Sequence, residues 1–188
     1  MNACALIFDC DGTLADTLPA HFESFAIALH SFSIEFDRAW FYQHCGLSAC
    51  EMLVQFNRQF GYQLDVDAID RSRQQQFYQL VHQIRPIEPI AAIARNHAGQ
   101  VPIALASGGD RSVVEATLEA IGMRTDFDAI VCRNDVQRGK PAPDIFLLAS
   151  ERLGVSPTDC LVYEDSDTGL EAARRAGMRS IDVRKVLI

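Results

Sequence analysis

The stretch Ala5-Leu6-Ile7-Phe8-Asp9-Cys10-Asp11-Gly12-Thr13 joins a short apolar run to two carboxylates two residues apart. A continuous run of Leu, Ile and Phe predicts a buried strand, and such a strand does not normally end in acidic side chains. Because side chains two apart on an extended segment point the same way, Asp9 and Asp11 can enter one crevice. Two like charges held that close repel unless a cation lies between them. The stretch therefore predicts a divalent-metal site in which one aspartate can also attack a substrate.

The composition is that of an ordinary globular protein. The 188 residues are 48% hydrophobic and 22% charged, which suits a compact core with one modest insertion. A net charge of -8 argues against a nucleic-acid partner bound through a broad basic surface. The amino terminus lacks a basic segment, and the apolar run after it is too short for a signal peptide or a membrane span. We therefore expect a cytoplasmic, monomeric protein with no membrane partner.

Six cysteines are spread along the chain without a paired C-x-x-C spacing. They are Cys4, Cys10, Cys45, Cys50, Cys132 and Cys160. Several fall on predicted strands or beside the acidic pair. This distribution is typical of reduced thiols in the cytoplasm and not of a disulfide framework.

Two different patterns follow the first strand. Between residues 17 and 84 apolar residues recur at helical spacing and no strand-like run occurs, which predicts an all-helical block closed by Pro86 and Pro89. Beyond it, the pattern predicts strands at 101–106, 129–132, 160–163 and 179–183, with helices between them at 110–121, 143–153 and 168–176. This alternation implies right-handed crossovers and a parallel sheet covered on both faces, an α/β fold.

Reactive side chains follow three of the predicted strands, and one more precedes a predicted helix. They are Asp9, Asp11, Ser107, Lys140, Glu164 and Asp165. A parallel sheet brings the carboxyl ends of its strands to one edge, and ligands bind beyond that edge. We expect these side chains to form one site. Asp167 has two interpretations, support of this site from behind or the N-cap of the next helix.

In this order, Asp9-x-Asp11-Gly12-Thr13, Ser107, Lys140-Pro141 and Glu164-Asp165 resemble the four motifs of the haloacid dehalogenase-like (HAD) phosphohydrolases. The resemblance spans essentially the whole chain. The stretches 139–146, 162–166 and 172–178 are similar to the β-phosphoglucomutase-like branch, and within it to phosphatases acting on fructose 1-phosphate and 6-phosphogluconate. The resemblance implies a Rossmann-like parallel-sheet core flanked by helices, made of residues 1–16 and 86–188, with an inserted helical cap of residues 17–85.

The resemblance also implies roles at the core site of a Mg²⁺-dependent phosphoric monoester hydrolase. Asp9 would be the nucleophile and form an aspartyl-phosphate. Asp11 would protonate the leaving alcohol and later deprotonate water, which demands a raised pKa. Asp9, the Asp11 carbonyl and Asp165 would hold the Mg²⁺, with Glu164 near the metal.

Phosphate binding is the second implied task. Lys140 would bridge the nucleophile and a phosphate oxygen as a fixed positive charge. The Ser107 hydroxyl and the Gly108 backbone N–H would bind the phosphate at a helix start, where anions are favoured. Taken alone, the Ser-Gly-Gly sequence is an ordinary turn and N-cap, and only its place in the ordered motifs points to phosphate.

The cap would decide the substrate. His21 and Phe25 lie four apart on one helix face and would touch the substrate or help to close the cap, with packing in the cap core as the alternative. Arg73 would hold a second anionic group, with a solvated arginine as the alternative. The loop 46–48 resembles a cap loop of the mutase, but Ala49 stands where the mutase carries an arginine that grips the non-transferring phosphate.

Three functions follow, and two of them are enzymatic. The first is a phosphatase of small phosphomonoesters, chiefly sugar phosphates. The second is a β-phosphoglucomutase-like sugar phosphomutase that uses the same intermediate but excludes water, and the absent arginine argues against it. The third is a non-catalytic phosphate-responsive binding protein, since a fold alone does not guarantee activity. The full set of catalytic side chains argues against this third function.

Overall fold

The computed structural model describes residues 4–186, and its strands form one parallel sheet. The five strands of the described chain are β1 (Ala5–Phe8), β2 (Ile103–Ala106), β3 (Ala129–Val131), β4 (Cys160–Glu164) and β5 (Arg179–Asp182). Their order is β3-β2-β1-β4-β5, and every pairing is parallel. The predicted parallel sheet is confirmed. The prediction that the amino terminus carries no signal peptide rests partly on residues 1–3, which lie outside the described residues.

The helices surround this sheet. Within residues 4–186 the α-helices are α1 (Leu18–His30), α2 (Arg38–Gln43), α3 (Ala49–Phe60), α4 (Val66–Leu80), α5 (Glu88–His97), α6 (Arg111–Ala120), α7 (Asp144–Leu153) and α8 (Asp167–Arg175). None of the helices in the described chain is long and apolar enough to cross a bilayer. All six cysteines are described, and each is a free thiol.

Strand β1 lies at the centre of the sheet and fixes where the acidic pair emerges. Phe8 is in register with Leu105 of β2 and Tyr163 of β4. Asp9 therefore leaves the sheet between the segment that follows β2 and the segment that follows β4. Its backbone N–H still donates to the Tyr163 carbonyl at 3.0 Å, so the strand pairing continues to the reactive residue itself.

The two faces of β1 enter two separate hydrophobic cores, as the two-residue period of a strand requires. Leu6 and Phe8 pack in the core that α5 and α6 cover. Ala5 and Ile7 pack in the core that α7 and α8 cover. Phe8 is fully buried and stacks on Tyr163 with ring centroids 4.9 Å apart. Burial of such a side chain contributes about 1.5–3 kcal/mol, so this packing holds the strand end in place.

Helices α1 to α4 form the helical block and have a hydrophobic core of their own, which is rich in aromatic rings. Its largest buried members are Phe22, Phe25, Phe36, Trp40, Phe41 and Phe56. The two segments that link the block to the sheet run side by side. The Asp16 N–H donates to the Arg85 carbonyl, and the Ile87 N–H donates to the Leu14 carbonyl, both at 2.9 Å. The division at residues 16/17 and 85/86 remains a prediction.

Helix α5 is absent from the sequence-based expectation. Pro86 and Pro89 predict only the end of the helical block, and the pattern assigns no element to residues 90–100. Pro89 lies in the first turn of α5, where a missing N–H costs the helix no hydrogen bond. Ile90 and Ala94, spaced for a helix, are fully buried against the sheet. Proline here starts a helix and does not exclude one.

Candidate active site

Lys140 joins two buried carboxylates at the centre of the sheet edge. Its Nζ donates to Asp9 Oδ1 at 2.6 Å and to Glu164 Oε2 at 2.7 Å. All three residues are buried, and Lys140 also lies 5.1 Å from the centroid of the Phe146 ring. One cation thus stands between side chains that the sequence places at the ends of β1 and β4.

The charges of this triad set its pKa values. Burial alone would lower the pKa of Lys140, but the negative charges of Asp9 and Glu164 raise it above its ordinary value. Burial raises the pKa of Asp9 well above the ordinary value, and the charge of Glu164 adds to this, while Lys140 opposes it. The site therefore carries more negative charge than its lysine compensates.

Glu164 has both of its carboxylate oxygens engaged. Oε2 accepts from Lys140, and Oε1 accepts from the Asp165 N–H at 3.1 Å, the Ser166 N–H at 2.9 Å and the Ser166 hydroxyl at 2.8 Å. These bonds fix the Glu164 side chain beneath the site. Asp165 Oδ1 accepts from the Thr13 hydroxyl at 2.9 Å.

Three carboxylates of this edge form a cluster of oxygen ligands. One oxygen from each of Asp9, Glu164 and Asp165 lies within 4.8 Å of the others. Burial raises the pKa of Asp165 to about 6, and the charge of Glu164 contributes to the rise. Gly12 has φ +82°, and a Cβ there would collide with Asp165 Oδ2. Glycine at this position therefore keeps space beside the cluster, which fits a cation held by hard oxygen ligands.

Asp11 stands apart from the triad and faces the helical block. Its Oδ1 accepts from the Thr17 hydroxyl at 2.7 Å and from His21 Nε2 at 3.0 Å, and its Oδ2 accepts from the Ser107 hydroxyl at 3.4 Å. Although burial raises the pKa of Asp11, the charge and hydrogen bond of His21 and the bond from Thr17 lower it to about 2. The raised pKa expected for Asp11 is wrong, because His21 of α1 and Thr17 before it stabilise the carboxylate, and the spacing D-x-D does not reveal these donors.

The segment after β2 brings backbone and hydroxyl donors to the same edge. Ser107 is buried, and its Oγ accepts from the Gly109 N–H at 3.0 Å. A Cβ on Gly109 would lie 3.6 Å from Asp11 Oδ2, so this turn runs directly beside the second aspartate. Ser107 and Gly108 are thus brought to the acidic pair as predicted from their position after a strand.

A cavity of about 390 Å³ lies between the sheet edge and the helical block. Residues predicted for the core site and residues predicted for the cap both line this cavity. They include Asp9, Asp11, His21, Phe25, Arg73, Gly108, Lys140, Glu164 and Asp165. Its wall on the side of the helical block includes residues 45–52. A volume of this size suits a small polar metabolite.

Phe25 and Arg73 contact each other inside this wall. Arg73 is buried, so the solvated alternative is wrong. Its Nε and Nη2 donate to Asp70 Oδ1 at 2.8 and 2.7 Å, and its guanidinium lies 5.1 Å from the centroid of the Phe25 ring. Phe25 belongs to the core of the helical block and lines the cavity as well, so its two interpretations are not exclusive. The charge of Arg73 is already matched by Asp70.

His21 connects the helical block to the acidic pair. Besides its bond to Asp11, its ring stacks on Phe77 of α4 with centroids 4.5 Å apart. The stacking fixes the ring plane, and the hydrogen bond fixes its orientation. His21 is therefore a positioned partner of Asp11 and not only a packing residue.

Neither interpretation of Asp167 is correct. The N-cap of α8 is Ser166, whose hydroxyl accepts from the Gly169 N–H at 3.0 Å. Asp167 is the first residue of the helix, is exposed, and pairs with Arg184 at 2.8 Å. Asp167 is also not part of the cluster that Asp9, Glu164 and Asp165 form.

Several residues that shape the site have partners that the linear sequence does not reveal. They are Thr13, Thr17, Ser166, Gln74 and Asp110. Thr13 and Thr17 have the same residue type as many turn and cap residues, and their partners become known only from the fold. Gln74 of α4 and Asp110 before α6 form a hydrogen bond although they are 36 residues apart in sequence.

Comparisons with known proteins agree with this geometry. The sequence model described as "Haloacid dehalogenase-like hydrolase" matches residues 6–183. The fructose-1-phosphate phosphatase YqaB of Escherichia coli is 35% identical over 95% of this chain and 95% of its own. The β-phosphoglucomutase of Bacillus subtilis is 31% identical over 95% of this chain and 82% of its own. The crystal structure of CbbY from Rhodobacter sphaeroides in complex with phosphate superposes with a TM-score of 0.84, at 30% identity, over 95% of this chain and 84% of that one.

Proposed function

This chain belongs to the haloacid dehalogenase-like hydrolase family and is a phosphatase, and from that premise we propose that it hydrolyses sugar phosphates through an aspartyl-phosphate on Asp9. The observation that carries the proposal is the buried Asp9, held by Lys140 at 2.6 Å and facing a cavity sized for a small metabolite. The names of two relatives, a fructose-1-phosphate phosphatase and a phosphorylated carbohydrates phosphatase, support a sugar phosphate as substrate.

In the first step, Asp9 is the nucleophile. Lys140 holds its Oδ1, and we assign Oδ2 as the attacking oxygen. A bond forms between this oxygen and phosphorus while the bond from phosphorus to the sugar oxygen breaks. The positive charge of Lys140 and the donors of Ser107 and Gly108 stabilise the negative charge on the phosphoryl oxygens.

The leaving sugar oxygen takes a proton from Asp11. Because the hydrogen bonds to Asp11 favour its carboxylate form, the proton has to reach it from a neighbour. His21 Nε2, 3.0 Å from Asp11 Oδ1, is the neighbour that supplies it. In the second step water attacks phosphorus, Asp11 accepts the water proton and returns it towards His21, and Asp9 is released with inorganic phosphate.

The donor set fits Mg²⁺. Asp9 and Asp165 would hold the ion with the carbonyl of Asp11, since carboxylate and carbonyl oxygens are its preferred ligands. Both oxygens of Glu164 are engaged, so we assign Glu164 to the positioning of Lys140 beside the ion. When bound, Mg²⁺ neutralises charge on the phosphoryl oxygens and on the crowded carboxylates.

A sugar phosphomutase is the competing function. It has support from the similarity to β-phosphoglucomutase, but the cavity wall weakens it. Ala49 lines the cavity and offers no charge to a second phosphate, which a mutase must hold while it transfers the first. The two functions differ in product, because a hydrolase releases inorganic phosphate and a mutase forms an isomer of the sugar phosphate.

The test is a phosphate-release assay of the purified protein with fructose 1-phosphate and Mg²⁺. We expect wild type to release phosphate and Asp9→Asn to release none above background, with unchanged circular dichroism. Asp16→Asn, the same change at an exposed position, is the matched control and should stay near wild-type activity. Substantial turnover by Asp9→Asn would reject the nucleophile, and isomer formation from a hexose phosphate without phosphate release would favour the mutase.

A further inference from the structure

Asp110 begins helix α6 but does not cap it. It occupies the N-cap position with extended backbone, and within the described chain its carboxylate makes no cap hydrogen bond. An aspartate at this position normally accepts from the second or third N–H of the helix. Here Oδ2 instead accepts from Gln74 Nε2 at 3.0 Å, and Oδ1 accepts from Asn134 Nδ2 at 3.4 Å. The carboxylate is therefore turned away from the N-terminus of α6 and towards α4 of the helical block.

Gln74 holds the carboxylate in this position. The same amide nitrogen donates to Asp70 Oδ2 at 2.9 Å, so Gln74 links Asp110 to the Asp70–Arg73 ion pair of α4. A carboxylate has about four acceptor sites, and these two bonds leave capacity for another donor. Asp110 and Asn134 both line the cavity. A ligand in the cavity thus meets a charged acceptor and a neutral amide beside the turn that follows β2.

Two of the cations that line the cavity are paired with carboxylates. Lys140 is bound to Asp9 and Glu164, and Arg73 is bound to Asp70. Arg133 donates to the carbonyls of Val136 and Gln137 at 2.8 and 3.4 Å, and its Nε lies 3.3 Å from where a Gly139 Cβ would be, next to Lys140. Within the described chain, Arg133 is therefore held by backbone carbonyls and not by a carboxylate.

The geometry points to Asp110 as a specificity-determining residue, one that accepts a hydroxyl of the sugar and rejects substrates with a second phosphate. This inference rests on the proposed phosphatase function. A sugar hydroxyl donates to Asp110, whereas a second phosphate brings like charge against it. The substrate class is then sugar monophosphates whose remaining oxygens are uncharged hydroxyls.

The experiment compares fructose 1-phosphate with fructose 1,6-bisphosphate, which differ by the second phosphate. A third substrate, p-nitrophenyl phosphate, has no hydroxyl for Asp110 and reports on the catalytic centre alone. The variant is Asp110→Asn, which keeps the shape and a residue type favoured at an N-cap. Glu119→Gln removes one charge from an exposed position of the same helix and is the matched control. Values of kcat/KM are measured for all three substrates.

We expect wild type to prefer the monophosphate by at least about tenfold, because a like charge at close range disfavours the bisphosphate. In Asp110→Asn this preference should fall by at least about fivefold, while p-nitrophenyl phosphate hydrolysis changes less than about twofold. Glu119→Gln should leave all three values near wild type. An unchanged preference, or a parallel loss on all three substrates, would show that Asp110 only ties the two sides of the cavity together. If wild type hydrolyses none of the three esters, the phosphatase function itself fails.

Discussion

Lys140 Nζ lies 2.6 Å from Asp9 Oδ1, although the two residues are 131 positions apart in sequence. The contact forms because β1 ends at the centre of the sheet and the segment before α7 crosses the same edge. Glu164, 2.7 Å from the same nitrogen, closes the triad from the end of β4. Lys140 thus links three segments that are distant in sequence. Its removal should therefore affect both stability and activity.

Lys140→Met should damage both properties. It leaves Asp9 and Glu164 buried without a cation, and breaking a buried ion pair in this way costs about 3–5 kcal/mol of unfolding free energy. The variant also loses the positive charge that stabilises the phosphoryl oxygens, so kcat should fall by at least about 100-fold. Urea unfolding and phosphate release measure the two effects. Lys185→Met, at a side chain 80% exposed, should change neither, and near-normal turnover by Lys140→Met would contradict the assigned role.

His21→Asn should depend on the leaving group of the substrate. If His21 supplies the proton that Asp11 delivers, the variant slows release of a sugar alkoxide, a poor leaving group, by about 100-fold in kcat/KM. p-Nitrophenolate leaves without protonation, so its ester should lose less than about fivefold. The two esters are compared side by side, with His30→Asn at the exposed end of the same helix as the control. Equal losses on both esters would assign His21 to structure alone.

Much of the fold was predictable because local pattern and tertiary structure agree. The run Ala5–Phe8 is buried on both faces of the sheet, so it is apolar at every position, and the reactive residues follow such runs directly. A parallel sheet then brings Asp9, Ser107 and Glu164 to one edge whatever the lengths of the intervening segments. The core of the site was predictable for this topological reason.

What the sequence did not reveal depends on partners from other elements. The low pKa of Asp11 needs His21 and Thr17 on the following segment, and the expected raised value took account of carboxylates only. The pairing of Asp110 with Gln74 joins α6 to α4, which no local pattern encodes. Hydrogen bonds of this kind depend on how the helices pack against the sheet and against each other. The spacing of residues along the sequence therefore does not predict them.

Mg²⁺ should stabilise the protein more at pH 7.5 than at pH 5. The folded pKa of Asp165, about 6, lies above its ordinary value of 3.8, because of burial and then the charge of Glu164. Without a cation, the stability from this group is present below pH 3.8 and is lost as the pH rises through about 6. The ion binds the carboxylate form, and at 100 times its Kd it adds about 2.7 kcal/mol.

The measurement is Tm with Mg²⁺ and with a chelator at both pH values. Asp165→Asn should lose most of the Mg²⁺-dependent shift and should be more stable than wild type in chelator at pH 7.5. Asp167→Asn, the adjacent exposed aspartate that pairs with Arg184, should behave as wild type. A Mg²⁺ shift of equal size in Asp165→Asn would remove this residue from the cation site.

Gly169→Ala should impair catalysis from a position that never touches the substrate. Gly169 lies in the first turn of α8, and a Cβ there would collide with the side chain of Glu164. Overpacking at a buried site costs about 1–3 kcal/mol of unfolding free energy. The displaced carboxylate would also release Lys140 from its place beside Asp9, so kcat should fall by at least about tenfold.

Arg174→Ala truncates a side chain that is 72% exposed on the same helix, serves as the surface control, and should change kcat less than about twofold. Phosphate release and urea unfolding distinguish two causes. If Gly169→Ala lost stability but kept its kcat, Glu164 would serve packing only, and Lys140 would hold its position through Asp9 alone. Glu164→Gln should lower kcat as Gly169→Ala does. If the double variant loses no more kcat than either single variant, both changes act through Lys140.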